Sequence, residues 1–413
     1  MFSKSALSSL QYPQFRWLYT ANMAFSLSMG SQAIVRSWLA FKLTGSELAL
    51  GMVMFVVAIP MFLIAPIGGV VADRIDRRTL IIIGESLVLL NEIVLVILIF
   101  TDQLAFWHIL VVAGFMGCVF PFIMPAGNAL IVNTVGKSGL ANAMALQMAG
   151  MNTTRILGPA AAGFLIDGIG VGNTYLIGVV LYGAGVFCML FLKKSLPPAE
   201  SRRESMMANI VEGFKYVRED RLLLMLLLFG LIPMFLAMPF QNLLVVFADK
   251  IWDVGSRGLG LLSTAAGVGG VVGSIWVAGY GGGDRRLRLM MVSVLGFGVG
   301  LFFFAFSPYF LLGLGLIFIA DVFAAIFSTV NGTAIQLMIP DRIRGRISSL
   351  LMMSFSLPLL GTLPMSGLAE IFGAPLAVGG AAVLSVLIAV LFYMGSPTFR
   401  RTDAGIVKAM LVD

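Results

Sequence analysis

Among the charged side chains that lie within long apolar stretches of this sequence, four are the best candidates for chemistry: Glu85, Glu92, Arg155 and Asp321. A charge held at the centre of a lipid bilayer costs about 2.5–3.5 kcal/mol on insertion scales, so few chains keep one there without a use. Desolvation in an apolar cavity allows a carboxyl group to exchange a proton near neutral pH. These residue types at these places therefore indicate proton exchange and charge pairing inside a membrane.

The three carboxylates are the candidates for carrying a coupling proton. Glu85 and Glu92 are two helical turns apart, so they share one face of a helix. Asp321 begins a stripe of small and polar residues at helical spacing, which suits the wall of a cavity. The stripe continues through Ala325, Ser328 and Gly332. We expect Asp321, Glu92 or Glu85 to take up and release the proton.

Arg155 is a candidate charge partner for a carboxylate, or the group that holds an anionic part of a substrate. Asn152 lies on the same stripe of the predicted helix, and Gly158 and Pro159 follow, where the helix can kink. A static structural pair between Arg155 and one carboxylate is the alternative interpretation.

Gln32 and Arg36 form a second polar pair at helical spacing in the first apolar run. Both could face a substrate cavity together with Asn22 and Ser26. Alternatively, Arg36 extends its long side chain to the outer membrane interface, and we favour this second arrangement for Arg36. Gln32 and Arg36 remain candidates for substrate contact.

The elements that carry these residues are membrane helices. Hydrophobic residues make up 59% of the 413 residues and charged residues only 11%, against about 25% charged in soluble proteins. A spanning helix needs about 20 apolar residues. The sequence contains twelve such runs, near residues 15–43, 48–72, 79–100, 106–131, 139–167, 173–193, 221–248, 258–280, 287–306, 309–337, 346–371 and 375–395. We predict an all-α polytopic membrane protein.

The distribution of positive charge orients and divides these runs. Most of the 27 lysines and arginines fall in segments that would share one side with the N-terminus, which predicts that both termini are cytoplasmic. The longest polar segment follows the sixth run. We therefore predict an N-terminal six-helix half over residues 1–193, a cytoplasmic linker over 194–220, a C-terminal six-helix half over 221–395 and a cytoplasmic tail over 396–413.

A short charged loop joins the second and third runs. Its distinctive members are Gly69, Asp73, Arg74, Arg77 and Arg78. Their spacing resembles the loop between the second and third helices of the major facilitator superfamily, Gly-x-x-x-Asp-Arg-x-Gly-Arg-Arg, with Asp76 in place of the second glycine. The resemblance implies twelve helices in two pseudo-symmetric halves, and a gate at the cytoplasmic end.

A narrower resemblance concerns the fifth run. Residues 142–147 (Asn-Ala-Met-Ala-Leu-Gln) lead into residues 155–159 (Arg-Ile-Leu-Gly-Pro). This order is similar to the subfamily that includes macrolide efflux pumps and the enterobactin exporter, although Gly127 stands where that subfamily has arginine. The likeness extends over both halves, because it also includes residues 43–46, 125–126, 212–217 and 344–346. The resemblance implies a proton-coupled exporter of a small amphipathic organic molecule, such as a drug or a siderophore-like metabolite, that works by alternating access.

Other functions are weaker interpretations. A proton-coupled importer of an organic anion or nutrient is the alternative, and a non-transporting membrane sensor is a remote one. An enzyme would need a converging nucleophile, base or metal set. The sequence offers His108 as its only histidine, and its two cysteines lie apart in apolar runs, so we expect neither an enzyme nor a metal site.

The expected energy source is a proton gradient. Residues 281–284 are glycine-rich but lack the Gly-Lys-Ser/Thr ending of a nucleotide-binding loop, so no cofactor is expected. The net charge of +7 lies mainly in short loops and does not indicate nucleic acid. The expected partners are a small-molecule substrate and the lipid bilayer, for a monomer in the inner membrane.

Overall fold

The computed structural model of the protein describes residues 8–72, 74–195, 215–280, 286–339, 356–401 and 403. Within these ranges the chain forms helices and no strand, which confirms the predicted all-α class. The principal helices are α1 (Pro13–Thr44), α2 (Glu47–Ala72), α3 (Arg77–Phe100), α4 (Phe106–Ile169), α5 (Val171–Met189), α6 (Arg221–Leu236), α7 (Gly255–Tyr280), α8 (Arg286–Ala305), α9 (Phe310–Met338), α10 (Leu357–Phe372) and α11 (Ala374–Gly395).

Nine helical segments within the described ranges are long and apolar enough to cross a membrane. Helix α1 is not among them, because polar residues such as Gln32 and Arg36 interrupt its apolar sequence. Helix α10 is shorter than a span, and the beginning of the run predicted there, residues 346–355, lies outside the described residues. The polytopic membrane class is confirmed, and the count of twelve stays a prediction.

The chain separates into two compact units. The first comprises Met1–Gly45 and Val56–Glu204, and the second comprises Ser46–Phe55 and Ser205–Asp413. The first turns of α2 are thus grouped with the second unit, whereas the sequence predicts them in the N-terminal half. The limits of the predicted linker and tail stay predictions, because residues 196–214 and nearly all of 402–413 lie outside the described ranges.

In the first unit, α1 and α3 each pack against both α4 and α5. Helix α4 consists of two helices that meet at Gly136 (φ 67°, ψ 179°) and contain the fourth and fifth predicted runs. Glycine reaches this positive φ without the steric penalty that a side chain imposes. A single residue therefore changes the direction of the chain between the two helices that the sequence predicts.

Helix α4 approaches α1 closely at Gly158. A Cβ atom added there would lie 3.0 Å from the Leu27 carbonyl oxygen and 3.1 Å from the Ser31 amide nitrogen. Gly158 and Pro159 keep helical dihedral angles, and the kink predicted there stays a prediction. The glycine allows close contact between the helices, as small residues do in membranes.

Replacing Gly158 with alanine is expected to lower the free energy of unfolding by about 1–3 kcal/mol, because the added methyl group forces α1 and α4 apart. Thermal unfolding of the purified full-length protein in detergent measures the effect. The matched control is Gly168→Ala on the same helix, where an added Cβ meets no atom within 4 Å. Equal melting temperatures for the two variants would contradict the close-contact role.

Helix α6 of the second unit is capped by Asp220, whose carboxylate accepts hydrogen bonds from two backbone amides at the start of the helix. The sequence predicts one helix over residues 221–248. The structure instead ends α6 soon after Pro233 and continues as a 3-10 helix (Met238–Leu243) and a π-helix (Phe247–Ile251). Prolines remove backbone donors and clash with the preceding turn, which explains the change of helix type.

Helix α9 packs against α7 and α8, and α8 also packs against α11. An aromatic cluster fills the interior of this unit where α6, α9 and the chain after α11 meet. Phe229 lies 5.6 Å from Phe327 and 4.5 Å from Phe399 between ring centroids. This packing fixes the facing sides of α6 and α9.

Candidate functional site

A buried ion pair joins α1 to α3. The Arg36 Nη1 atom lies 2.5 Å from Glu92 Oε1, and the two side chains are 7% and 0% exposed. The second guanidinium nitrogen, Nη2, is 3.5 Å from the sulfur of Met116 on α4. Both side chains are therefore buried, and each charge has the other as its main partner.

Helix α5 completes the cluster. The Tyr175 hydroxyl donates a short hydrogen bond to Glu92 Oε2, and the Tyr175 side chain is fully buried. Gln32 donates from Nε2 to the Tyr175 carbonyl oxygen at 2.9 Å. Ser28 donates to the Gly178 carbonyl oxygen at 2.6 Å. Polar contacts thus hold three helices together inside an apolar unit.

Glu85 lies two turns from Glu92 on the same buried side of α3, as the spacing predicts. Its side chain is 2% exposed, and its Oε2 atom has no hydrogen-bond partner among the described residues. The Tyr182 hydroxyl is likewise buried and without such a partner. The first unit therefore contains two buried glutamates in different surroundings. Glu92 is paired with an arginine, and Glu85 has an oxygen that accepts no hydrogen bond from the described residues.

The structure corrects two predicted pairings. Arg36 does not extend to the membrane interface, because it is bound to Glu92 in the interior. Arg155 and Asn152 are exposed, and the described ion pair of Glu92 is with Arg36. Tyr175 has no signal in the sequence, because a tyrosine in an apolar run looks like an ordinary packing residue.

Asp321 is the buried carboxyl group of the second unit. It lies in α9 with 5% exposure, and its Oδ1 atom accepts a hydrogen bond of 3.4 Å from Gln241 Nε2. Of the stripe predicted from Asp321, Ser328 and Gly332 line a cavity in the second unit, whereas Asp321 and Ala325 do not. The sequence does not reveal Gln241, which lies in the 3-10 segment after α6.

The charged loop before α3 is organised by Asp76. Its carboxylate accepts hydrogen bonds from the Thr79 amide at 2.9 Å and the Thr79 hydroxyl at 2.5 Å, so it caps the N-terminus of α3. It also accepts a 2.5 Å bond from the Ser195 amide. In return, the Arg77 amide donates to the Ser195 carbonyl oxygen at 3.1 Å.

Arg78 binds the C-terminus of α5. Its guanidinium donates to the Leu190 carbonyl oxygen at 2.7 Å and to the Met189 carbonyl oxygen at 3.3 Å. A cation is favourable where helix carbonyls lack intrahelical partners. The described contacts of this predicted gate thus lie within the first unit. Arg74 is exposed, Arg77 is buried, and Asp73 and the surroundings of Gly69 lie outside the described residues.

Two opposing effects set the acidity of Asp76. Partial burial acts to raise the pKa of Asp76, but the hydrogen bonds from Thr79 and Ser195 and the nearby charge of Arg78 lower it below its ordinary value overall. The carboxylate therefore stabilises the fold above the unfolded-state pKa of about 3.9, and this contribution is lost as the pH falls through the lower folded-state pKa.

Replacing Asp76 with alanine is expected to lower the free energy of unfolding by about 1 kcal/mol at neutral pH, because the cap of α3 is lost. The difference in melting temperature from wild type should be constant down to about pH 5 and shrink below about pH 3.9. The control Asp76→Asn keeps an accepting oxygen but no charge. A difference that grows as the pH falls would contradict this role.

Chemically, these groups can pair charge, exchange protons and hold helix ends. Across the part of the chain that the structure describes, no three histidine, cysteine, aspartate or glutamate residues are close enough to hold a metal ion.

Comparison with known proteins extends these observations to the whole chain. The sequence pattern of a family described as "Transmembrane secretion effector" matches residues 4–407. The staphyloferrin A transporter of Staphylococcus aureus is 23% identical over 384 residues, which cover 91% of this chain and 95% of that protein. The enterobactin exporter of Escherichia coli O1:K1 is 25% identical over 343 residues, covering 82% and 81%.

Solved structures show the same fold. The nucleoside transporter NupG superposes with a TM-score of 0.71 over 92% of this chain and 98% of its own, at 15% sequence identity. A bacterial homologue of the lysosomal transporter Spinster gives a TM-score of 0.67 over 99% of each chain, at 13% identity. At such identities the likeness concerns architecture alone.

Proposed function

Because the chain belongs to the transmembrane secretion effector family of the major facilitator superfamily, we propose that this secondary transporter exports a small amphipathic, siderophore-like molecule in exchange for protons. The substrate class is supported by the relatives named for staphyloferrin A and enterobactin, each of which aligns with more than four fifths of this chain. Transport would proceed by alternating access to a site near the membrane midplane.

The environment of Asp321 is the observation that carries the proposal of proton coupling. Burial of a carboxyl group favours its neutral form, so a buried aspartate can take up a proton. The amide of Gln241 donates one of its hydrogen bonds. A side-chain amide offers both donors and an acceptor, so it can bond to either protonation state. We therefore propose Asp321 as the proton carrier and Glu85 as the second candidate.

Glu92 has the opposite environment. The Arg36 guanidinium lies 2.5 Å from one oxygen of Glu92, and Tyr175 donates a hydrogen bond to the other oxygen of the same carboxylate. We therefore propose that Glu92 and Arg36 form a static pair that fixes α1, α3 and α5 in the first unit. Arg155 and Asn152 are exposed, and their proposed role is contact with the substrate.

The distribution of lysine and arginine supports an inner-membrane orientation with both termini in the cytoplasm. We propose that the chain works as a monomer and draws its energy from the proton gradient. The loop residues Arg74, Arg77 and Arg78 would then lie at the cytoplasmic end, where a gate in the major facilitator fold is expected.

Substrate-driven proton movement in proteoliposomes tests the function. Vesicles loaded with a pH-sensitive dye receive a panel of siderophores, macrolides and cationic dyes in turn. Proton flux opposite to the substrate is the expected result. Flux in the same direction would make the protein an importer. Absence of flux with every compound, in protein shown to be folded, would overturn the exporter proposal.

A further inference from the structure

A cavity of about 280 Å³ lies within the second unit, between α6, α8 and α9. Its wall is largely apolar, and Met234, Phe297 and Phe327 are among the residues that form it. Nothing in the lining is charged. This cavity is separate from the ionic cluster of the first unit, and neither Asp321 nor Gln241 lines it.

Three polar side chains lie in the apolar wall, and one of them has a hydrogen-bond acceptor that is not used by the described residues. Ser328, Asn331 and Gln336 lie on the same side of α9. Asn331 is 7% exposed, and its Oδ1 atom has no hydrogen-bond partner among the described residues. A buried acceptor without a partner costs about 1–3 kcal/mol, so a bound donor is favourable there.

The surroundings of Asn331 hold its side chain in place. A Cβ atom added at Gly230 of α6 would lie 2.6 Å from the Asn331 Nδ2 atom, so the amide nitrogen lies close to the backbone of α6. The amide is therefore packed against α6 by its nitrogen. Its oxygen is the end left to receive a donor.

The composition of the cavity limits what can bind. An ionic group would be desolvated without a counter-charge, which apolar walls do not compensate. Aromatic and methionine side chains suit flat or irregular apolar groups, because methionine adapts its shape and aromatic rings stack. A ligand that satisfies Asn331 must add an N–H or O–H donor.

We propose that this cavity binds the uncharged, aromatic or compact apolar part of the transported molecule, through a hydroxyl or N–H group donated to Asn331. The inference deepens the proposed function and rests on it for the identity of the transported molecule. Binding itself is measured without transport, so the two can fail separately.

The test uses the full-length protein in lipid nanodiscs and tritiated 2-naphthol, an uncharged flat ring with one O–H donor. Saturable binding is expected, with affinity about tenfold higher than for 2-methoxynaphthalene, which has the same ring and no donor. The anion 2-naphthoate should not compete. Asn331→Leu should abolish the preference for 2-naphthol over its methyl ether.

Two glycine substitutions on α9 distinguish the effect of filling the cavity from a general loss of folding. Gly332 lines the cavity and Gly315 does not, and a Cβ added at either position meets no atom within 4 Å. Gly332→Leu should therefore lose saturable binding while Gly315→Leu keeps it. Wild-type affinity in Gly332→Leu, or equal affinity for 2-naphthoate, would overturn the inference. Binding as expected together with absent transport would refute only the exporter proposal.

Discussion

Replacing Arg36 with leucine is expected to lower the free energy of unfolding by about 3–5 kcal/mol, because it leaves the Glu92 carboxylate buried without its counter-charge. Glu92 is fully buried and its remaining bond comes from the Tyr175 hydroxyl. One neutral donor does not replace a guanidinium at 2.5 Å. We expect most of the folded protein to be lost when the variant is purified in detergent and heated.

The double variant Arg36→Leu with Glu92→Leu tests whether the loss of stability comes from leaving one charge buried without its partner. It removes both charges, so it should recover most of the loss, since apolar residues of similar size often replace buried ion pairs without penalty. Arg155→Leu is the control, because Arg155 is exposed and its loss should change stability by about 0.5 kcal/mol or less. A double variant as unstable as Arg36→Leu would contradict a pairwise role.

Replacing Asp321 with asparagine is expected to reduce substrate-driven proton flux to the background of empty vesicles. Asparagine has nearly the same shape and can still bond to Gln241, but it cannot bind or release a proton. Exchange of substrate for substrate across the membrane needs no net proton transfer, so it should persist in the variant. Proteoliposomes that contain a pH-sensitive dye and labelled substrate measure both quantities.

Two controls make the Asp321 result specific. Asp102→Asn removes an exposed carboxylate at a positive φ of 54°, which asparagine also adopts, so it should transport as wild type. Asp321→Glu keeps an ionisable group and should retain part of the coupled flux. Full coupling in Asp321→Asn would refute the carrier assignment. Glu85→Gln would then be the next variant to test.

The sequence predicts the helices well because membrane helices are specified by length and apolarity. The third run, 79–100, corresponds closely to α3 (Arg77–Phe100). Differences arise where local chemistry overrides apolarity. Helix α6 ends at Leu236, inside an apolar run that contains Pro233 and Pro239, and Gly136 alone breaks the helical dihedral angles between the fourth and fifth runs. A break of this kind depends on one dihedral angle, which a hydropathy pattern does not contain.

The partners of the buried charges could not be predicted either, and the reason differs from that for the helix breaks. In a helix that is apolar on every side, periodicity does not show which face meets which neighbour. From the sequence, Arg155 is the candidate charge partner for a carboxylate, and only packing reveals that Arg36 binds Glu92. For Asp76 a local signal exists that the prediction did not use, because an aspartate just before an apolar run is a preferred helix cap.

The bonds between the loop before α3 and the end of α5 set an order of events during synthesis. Asp76 binds the amide of Ser195, which is 119 residues later in the chain. At about 5–20 residues per second, a ribosome takes about 6–24 s to cover that distance. Throughout this interval the carboxylate and the two following arginines lack these bonds. Each new copy of the first unit therefore passes through a stage, several seconds long, in which this edge lacks its contacts with the chain at the end of α5.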